Sequence, residues 1–105
     1  MAYQGAERRT RWIYVTHNSE YYLKERTCLG VRDRTRGSWV VGHQAVNATL
    51  SGSILFGPGT VVPNVGQPRE GESLCFKRED CEEILTSPVE AIRRPPRESG
   101  MRQQA

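Results

Sequence analysis

The chain has 105 residues, 36% of them hydrophobic, and a formal net charge of +3. A domain of this size buries roughly 60 to 70% of the surface its unfolded chain exposes, which leaves room for one modest core and none for a deep, many-walled active site. No apolar run approaches the ~20 residues that cross a bilayer, and the first twelve residues hold no apolar segment suited to a signal peptide, so a soluble, cytoplasmic protein is expected.

Strand signals begin at Trp12-Ile13-Tyr14-Val15-Thr16, where every residue is aromatic or β-branched. His17-Asn18-Ser19 interrupts them with turn formers, and Tyr21-Tyr22-Leu23 resumes as a second short strand. Thr27 to His43 then reads as a hairpin. Leu29 and Val31 alternate with Cys28, Gly30 and Arg32, and Trp39-Val40-Val41 supplies the return strand. The linking Asp33-Arg34-Thr35-Arg36-Gly37 opens with a carboxylate that can accept backbone N–H groups. It closes with a glycine that reaches positive φ cheaply. Neighbouring strands in sequence tend to be neighbours in space, so these four form a meander.

Leu50, Ile54, Leu55 and Phe56 suggest another strand, ended by Gly57-Pro58-Gly59. Thr60 to Glu70, with two prolines and Gly66, reads as a long loop holding a brief extended piece at Val61-Val62. Glu72 to Lys77 alternates like a half-buried strand with Leu74 and Phe76 on one face. Arg78 to Leu85 reads as a turn or two of helix, its Glu79 and Asp80 favourably placed at the N-terminal end of the dipole. Val89, Ala91 and Ile92 make a last strand. The fold class is therefore all-β and mainly antiparallel, a strongly bent sheet or small β-barrel of five to seven strands with one short helix near its C-terminal end. Residues 1–10 are expected to be a flexible segment, 11–93 a single β-rich domain, and 94–105 a disordered tail.

The cysteines are odd in number and irregularly spaced, which fits a reducing compartment. Cys28, Cys75, Cys81, His17 and His43 are all possible metal ligands, but no two short knuckles pair them as structural zinc requires, so no metal or cofactor is expected. No nucleophile elbow or phosphate loop supports catalysis, and the chain reads as non-enzymatic.

Arginine makes up thirteen of the fifteen basic residues. Residues 1–52 carry eight bases against four acids, and residues 53–92 carry three against seven. Arg8, Arg9, Arg11, Arg32, Arg34 and Arg36 are the candidate anion-binding groups, since a guanidinium forks onto phosphate or carboxylate. With exposed aromatics they would suit single-stranded nucleic acid, but Trp12 and Trp39 are expected to fill the core.

The cluster Glu7-Arg8-Arg9-Thr10-Arg11, followed after three strands by Asn47-Ala48-Thr49-Leu50-Ser51-Gly52, resembles a degraded PilZ signature. That family's β-barrel binds cyclic di-GMP. The arginines here are separated by two residues rather than three, and Thr49 stands where Ser is usual. The resemblance implies phosphate contacts from Arg8, Arg9 and Arg11, and guanine-side contacts from Asn47, Thr49 and Gly52. The reading that requires no special residues is a small binding or regulatory module that meets a protein partner, or a second copy of itself, through a sheet edge at Gly42, Gly52 or Gly57-Pro58-Gly59.

Overall fold

The computed structural model describes residues 11–95. Nine strands are found there: β1 (Arg11–Val15), β2 (Ser19–Lys24), β3 (Thr27–Asp33), β4 (Ser38–Trp39), β5 (Thr49–Gly57), β6 (Thr60–Asn64), β7 (Ser73–Lys77), β8 (Glu83–Pro88) and β9 (Ala91–Arg93). All pair antiparallel in one sheet of order β8-β7-β5-β3-β2-β1-β9, with β4 added to β3 and β6 added to β5. The expected tail segments, with Arg8 and Arg9, lie outside the described residues apart from Arg94 and Pro95. No helix among the described residues is long and apolar enough to cross a membrane.

The expected barrel is instead an open sheet. β8 and β9 stand at its two ends and do not pair with each other. They are nevertheless consecutive, and the chain crosses from one end to the other through buried Val89. Its N–H donates to the Glu72 carbonyl and its carbonyl accepts from Gly71 N, both at 2.8 Å, while Glu90 N donates to the Val15 carbonyl at 2.6 Å. The two halves also meet at Thr27 and Thr49, where Cys28, Asn47 and Leu50 add backbone hydrogen bonds. Between the halves lies one core of Tyr14, Tyr21, Leu23, Cys28, Val31, Leu50, Leu74, Phe76 and Val89, with Ala45 and Ala48. Each fully buried large side chain there stabilises the fold by about 1.5–3 kcal/mol.

The turn that closes β3 to β4 follows its sequence. Asp33 Oδ1 accepts from Thr35 N and Arg36 N at 2.8 and 3.1 Å, and Gly37 takes φ +71°. Four expectations fail for physical reasons. The alternation expected to turn Leu29 inward is broken by a β-bulge: Tyr22 pairs with Gly30 but Leu23 with Cys28, so Leu29 is an inserted residue and faces out. Cys28 and Val31 take the inner positions. Residues 78–85 form no helix, because Ile84 packs on the core and β8 pairs antiparallel with β7 in a ladder bulged between Ser73 and Cys75. The chain reverses through Cys81 at φ +69°, and Asp80 Oδ1 accepts from Glu82 N. Local helical preference on a charged pentapeptide is worth tenths of a kcal/mol per residue, less than the ladder it opposes. The brief extended piece expected at Val61-Val62 within a long loop is a five-residue strand, Thr60–Asn64, paired with β5, and Trp39 is 57% exposed rather than buried.

Candidate interaction surfaces

β7 pairs with β5 only as far as Ile54, opposite Ser73, whereas β6 pairs with β5 from Ser53 to Gly57. Beyond Ile54 the two strands are therefore a ribbon two strands wide. Pro58 and Gly59 hold the central positions of its turn, and Gly59 takes φ +66°, as a type II turn requires of its third residue. Leu55 pairs with Val62, and Phe56 with Val61. Residues directly opposite share a face, so the ribbon is apolar on both sides. Leu55, Phe56, Val61 and Val62 are 41, 51, 58 and 48% exposed. A bare two-stranded ribbon is marginal in water, and one with apolar side chains on both faces invites a cover.

The outer edge of β6 has no strand beside it among the described residues. A two-residue loop makes Gly57 and Thr60 the hydrogen-bonded closing pair, and alternation then turns the nitrogen of Pro63 outward. Proline offers no donor there, so the edge is blunted against a further strand and the faces are left as the contact surface. The sequence carries a signal of this arm that strand periodicity does not read. From Gly37 to Pro68 it holds no Lys, Arg, Asp or Glu, although 26% of the chain is charged.

The base of the arm is fixed by Glu72. Its Oε1 accepts from Ser53 Oγ at 2.7 Å, Arg69 N at 2.9 Å and Asn64 Nδ2 at 3.1 Å. Burial alone would raise this carboxyl, but the three hydrogen bonds and the charge of Arg69 outweigh it and hold the group below its usual range. Gln67 Nε2 donates to the Tyr14 hydroxyl, so the β6–β7 loop is fastened to the core.

A second surface is the outer face of β9, β1, β2, β3 and β4. Pairing places Ala91, Val15, Glu20, Arg32 and Trp39 in one row across it, and Arg93, Ile13, Tyr22 and Gly30 in the next. Arg11 and Lys24 follow, paired on β1 and β2. Among the described residues of these two rows, Glu20 is the acid. It binds Arg32 at 3.2 Å and Arg93 at 3.9 Å, and its Oε1 accepts from the Tyr22 hydroxyl at 3.1 Å. Trp39 leans over Gly30 to meet Tyr22, ring centroids 4.8 Å apart.

The remaining sequence candidates lie elsewhere. Arg34 is a clamp: its Nη1 donates to the carbonyls of Thr16 and His17 and to Glu90 Oε1, tying the β1–β2 turn to the β8–β9 crossing. Arg36 stands exposed on the β3–β4 turn. Asn47, at φ +73°, and Thr49 sit at the opposite end of β3 from these arginines, roughly 16 Å along the strand. Asn47 lines an open depression of about 330 Å³ with Val46, Ala48, Arg78 and Glu79. Gly52 is buried within β5 against the Asn64 carbonyl and is no edge.

The thiols and imidazoles are spread out. Cys28 is fully buried, and that burial pushes its thiol up to about 11. His43 Nδ1 accepts from Ala45 N while its ring packs edge-on to Tyr21, and burial lowers its pKa. Among the described residues no three His, Cys, Asp or Glu side chains come together as metal ligands. No protein-family model, curated protein or solved structure matches the chain.

Proposed function

We propose that the chain is a non-enzymatic interaction module that engages protein through the β5–β6 arm, and that a second copy of the chain is its partner. One observation carries the reading: four large apolar side chains stand exposed in opposed pairs on both faces of a ribbon that projects beyond β7. A second copy suits this surface electrostatically. The chain has a net charge of +3, and the arm is where two copies approach without bringing like charges together. Such a contact is isologous, arm against arm, and needs side chains rather than a shared ladder, in keeping with the blunted edge at Pro63. The high pKa of the Cys28 thiol and the hydrogen-bonded, packed imidazole of His43 suit structural roles better than nucleophilic ones.

The test is molar mass by sedimentation over a wide range of concentration, for the wild type and for Phe56→Ser and Val62→Ser. Mass should rise toward that of a dimer in the wild type and stay at one chain in at least one variant, with unchanged far-UV dichroism. A wild type that stays at one chain at every concentration overturns the reading, as does association that neither variant weakens.

A further inference from the structure

The outer face of β9, β1, β2, β3 and β4 differs in chemistry from the arm and plays no part in the reading above. Among the described residues it carries Lys24, Arg32 and Arg93, the nearly buried acid Glu20 and the rings of Tyr22 and Trp39, while Ile13 and Val15 on the same face are buried. We infer that this face binds single-stranded nucleic acid, with a base stacked on Trp39 and with Lys24, Arg32, Arg36 and Arg93 contacting phosphates.

Covering a strand glycine is an ordinary task for an aromatic side chain, and Trp39 does cover Gly30. That task uses one side of the indole, however, and the residue remains 57% exposed. A leucine would cover Gly30 equally well. An indole held at Gly30 and Tyr22 that still leaves more than half of the residue exposed suits base stacking, because the ring is already ordered before the base arrives.

The charges are placed to match. Arg32 lies directly opposite Trp39, and its Nη2 sits beside Gly37 in the turn that carries Arg36. Arg36 has no ion-pair partner among the described residues. Glu20 lies between Arg32 and Arg93 and orients both guanidinium groups while neutralising only part of their charge. From Trp39 on β4 to Arg93 on β9 is four inter-strand spacings, about 19 Å, and because Val15 and Ile13 beneath that path are buried, a strand following it meets the partly exposed guanidinium groups of Arg32 and Arg93 rather than the sheet between them. A single strand fits better than a duplex, whose bases are already stacked on one another and closed to Trp39.

Anisotropy of a labelled thymidine oligonucleotide, titrated at low salt with the full chain, tests the inference. Saturable binding is expected, with log K falling against log salt at a slope of roughly −2 for about three neutralised phosphates. Trp39→Leu, which still covers Gly30, should weaken binding on the order of tenfold with the melting temperature unchanged. Arg36→Gln should weaken it and make the salt slope shallower. Phe56→Ser should bind as the wild type does, which separates this face from the arm. Four outcomes overturn the inference: no saturable binding; binding that Trp39→Leu leaves unchanged, which is attraction of a polyanion by the arginines alone; a duplex bound as tightly as the single strand; or cyclic di-GMP or a proline-rich peptide bound where the oligonucleotide is not.

Discussion

Trp39 rests directly on Gly30: a methyl group at position 30 would meet Cζ3 of the indole at 3.0 Å and Cε3 at 3.2 Å. The contact spans β3 and β4 diagonally, and a methyl group at position 30 would require the ring, which also meets Tyr22, to give by a few tenths of an ångström. Gly30→Ala should therefore displace the indole rather than the strand, since Trp39 is 57% exposed and its side chain can move where backbone cannot. In a Trp12→Phe background, the emission of Trp39 should shift to the red, with a change in stability of about 1 kcal/mol or less because alanine costs less entropy in a strand than glycine. An unchanged spectrum would show that the ring is not seated there.

Gly52 makes the opposite case, since its neighbour cannot move aside. A β carbon at position 52 would lie 2.8 Å from the Asn64 carbonyl oxygen, which belongs to the β6 backbone. Gly52 also follows a bulge in the β5–β7 ladder, where Leu50 pairs with Phe76 and Gly52 with Cys75. Gly52→Ala should push β6 away from β5 and destabilise the fold by about 1–3 kcal/mol, the usual cost of overpacking. Urea unfolding measures this, and a midpoint equal to the wild type's would refute the close approach.

The Glu72 carboxylate links the arm to pH. Its folded pKa lies below its unfolded value because the hydrogen bonds and Arg69 outweigh burial, so the stability it contributes is complete above the unfolded value, about 4.5, and is lost as pH falls through the folded one. Glu72→Gln should destabilise the chain by about 1–3 kcal/mol at neutral pH, since one amide oxygen replaces a carboxylate under three donors. The two proteins should converge in stability as the pH falls below the unfolded value of about 4.5. Thermal unfolding at a series of pH values gives the comparison, and a constant difference down to pH 3 would mean that Glu72 stays charged or never carried the effect.

The features legible in the sequence were those set by a few adjacent residues. The β-branched and aromatic run at Trp12, the carboxylate-opened and glycine-closed turn at Asp33 to Gly37, the break at Pro58-Gly59 and the inward Leu74 and Phe76 depend on local backbone preference and on the period of a pleated strand. Arg34 shows the limit of the same reading. Its type suggested an anion site, yet three acceptors on two other segments, none predictable from its neighbours, occupy it.

By itself, then, the sequence determined that this chain is a succession of short antiparallel strands and where several of them turn. Tertiary structure decided which side of each strand is inside, because a bulge such as Leu29 inserts one residue and reverses the phase of everything after it, and bulges arise from pairing with a strand elsewhere in the chain. It also decided that β8 is a strand, that Trp39 is exposed and that the β5–β6 ribbon stands clear of the core. Each of these depends on whether a distant segment is present to cover the residue.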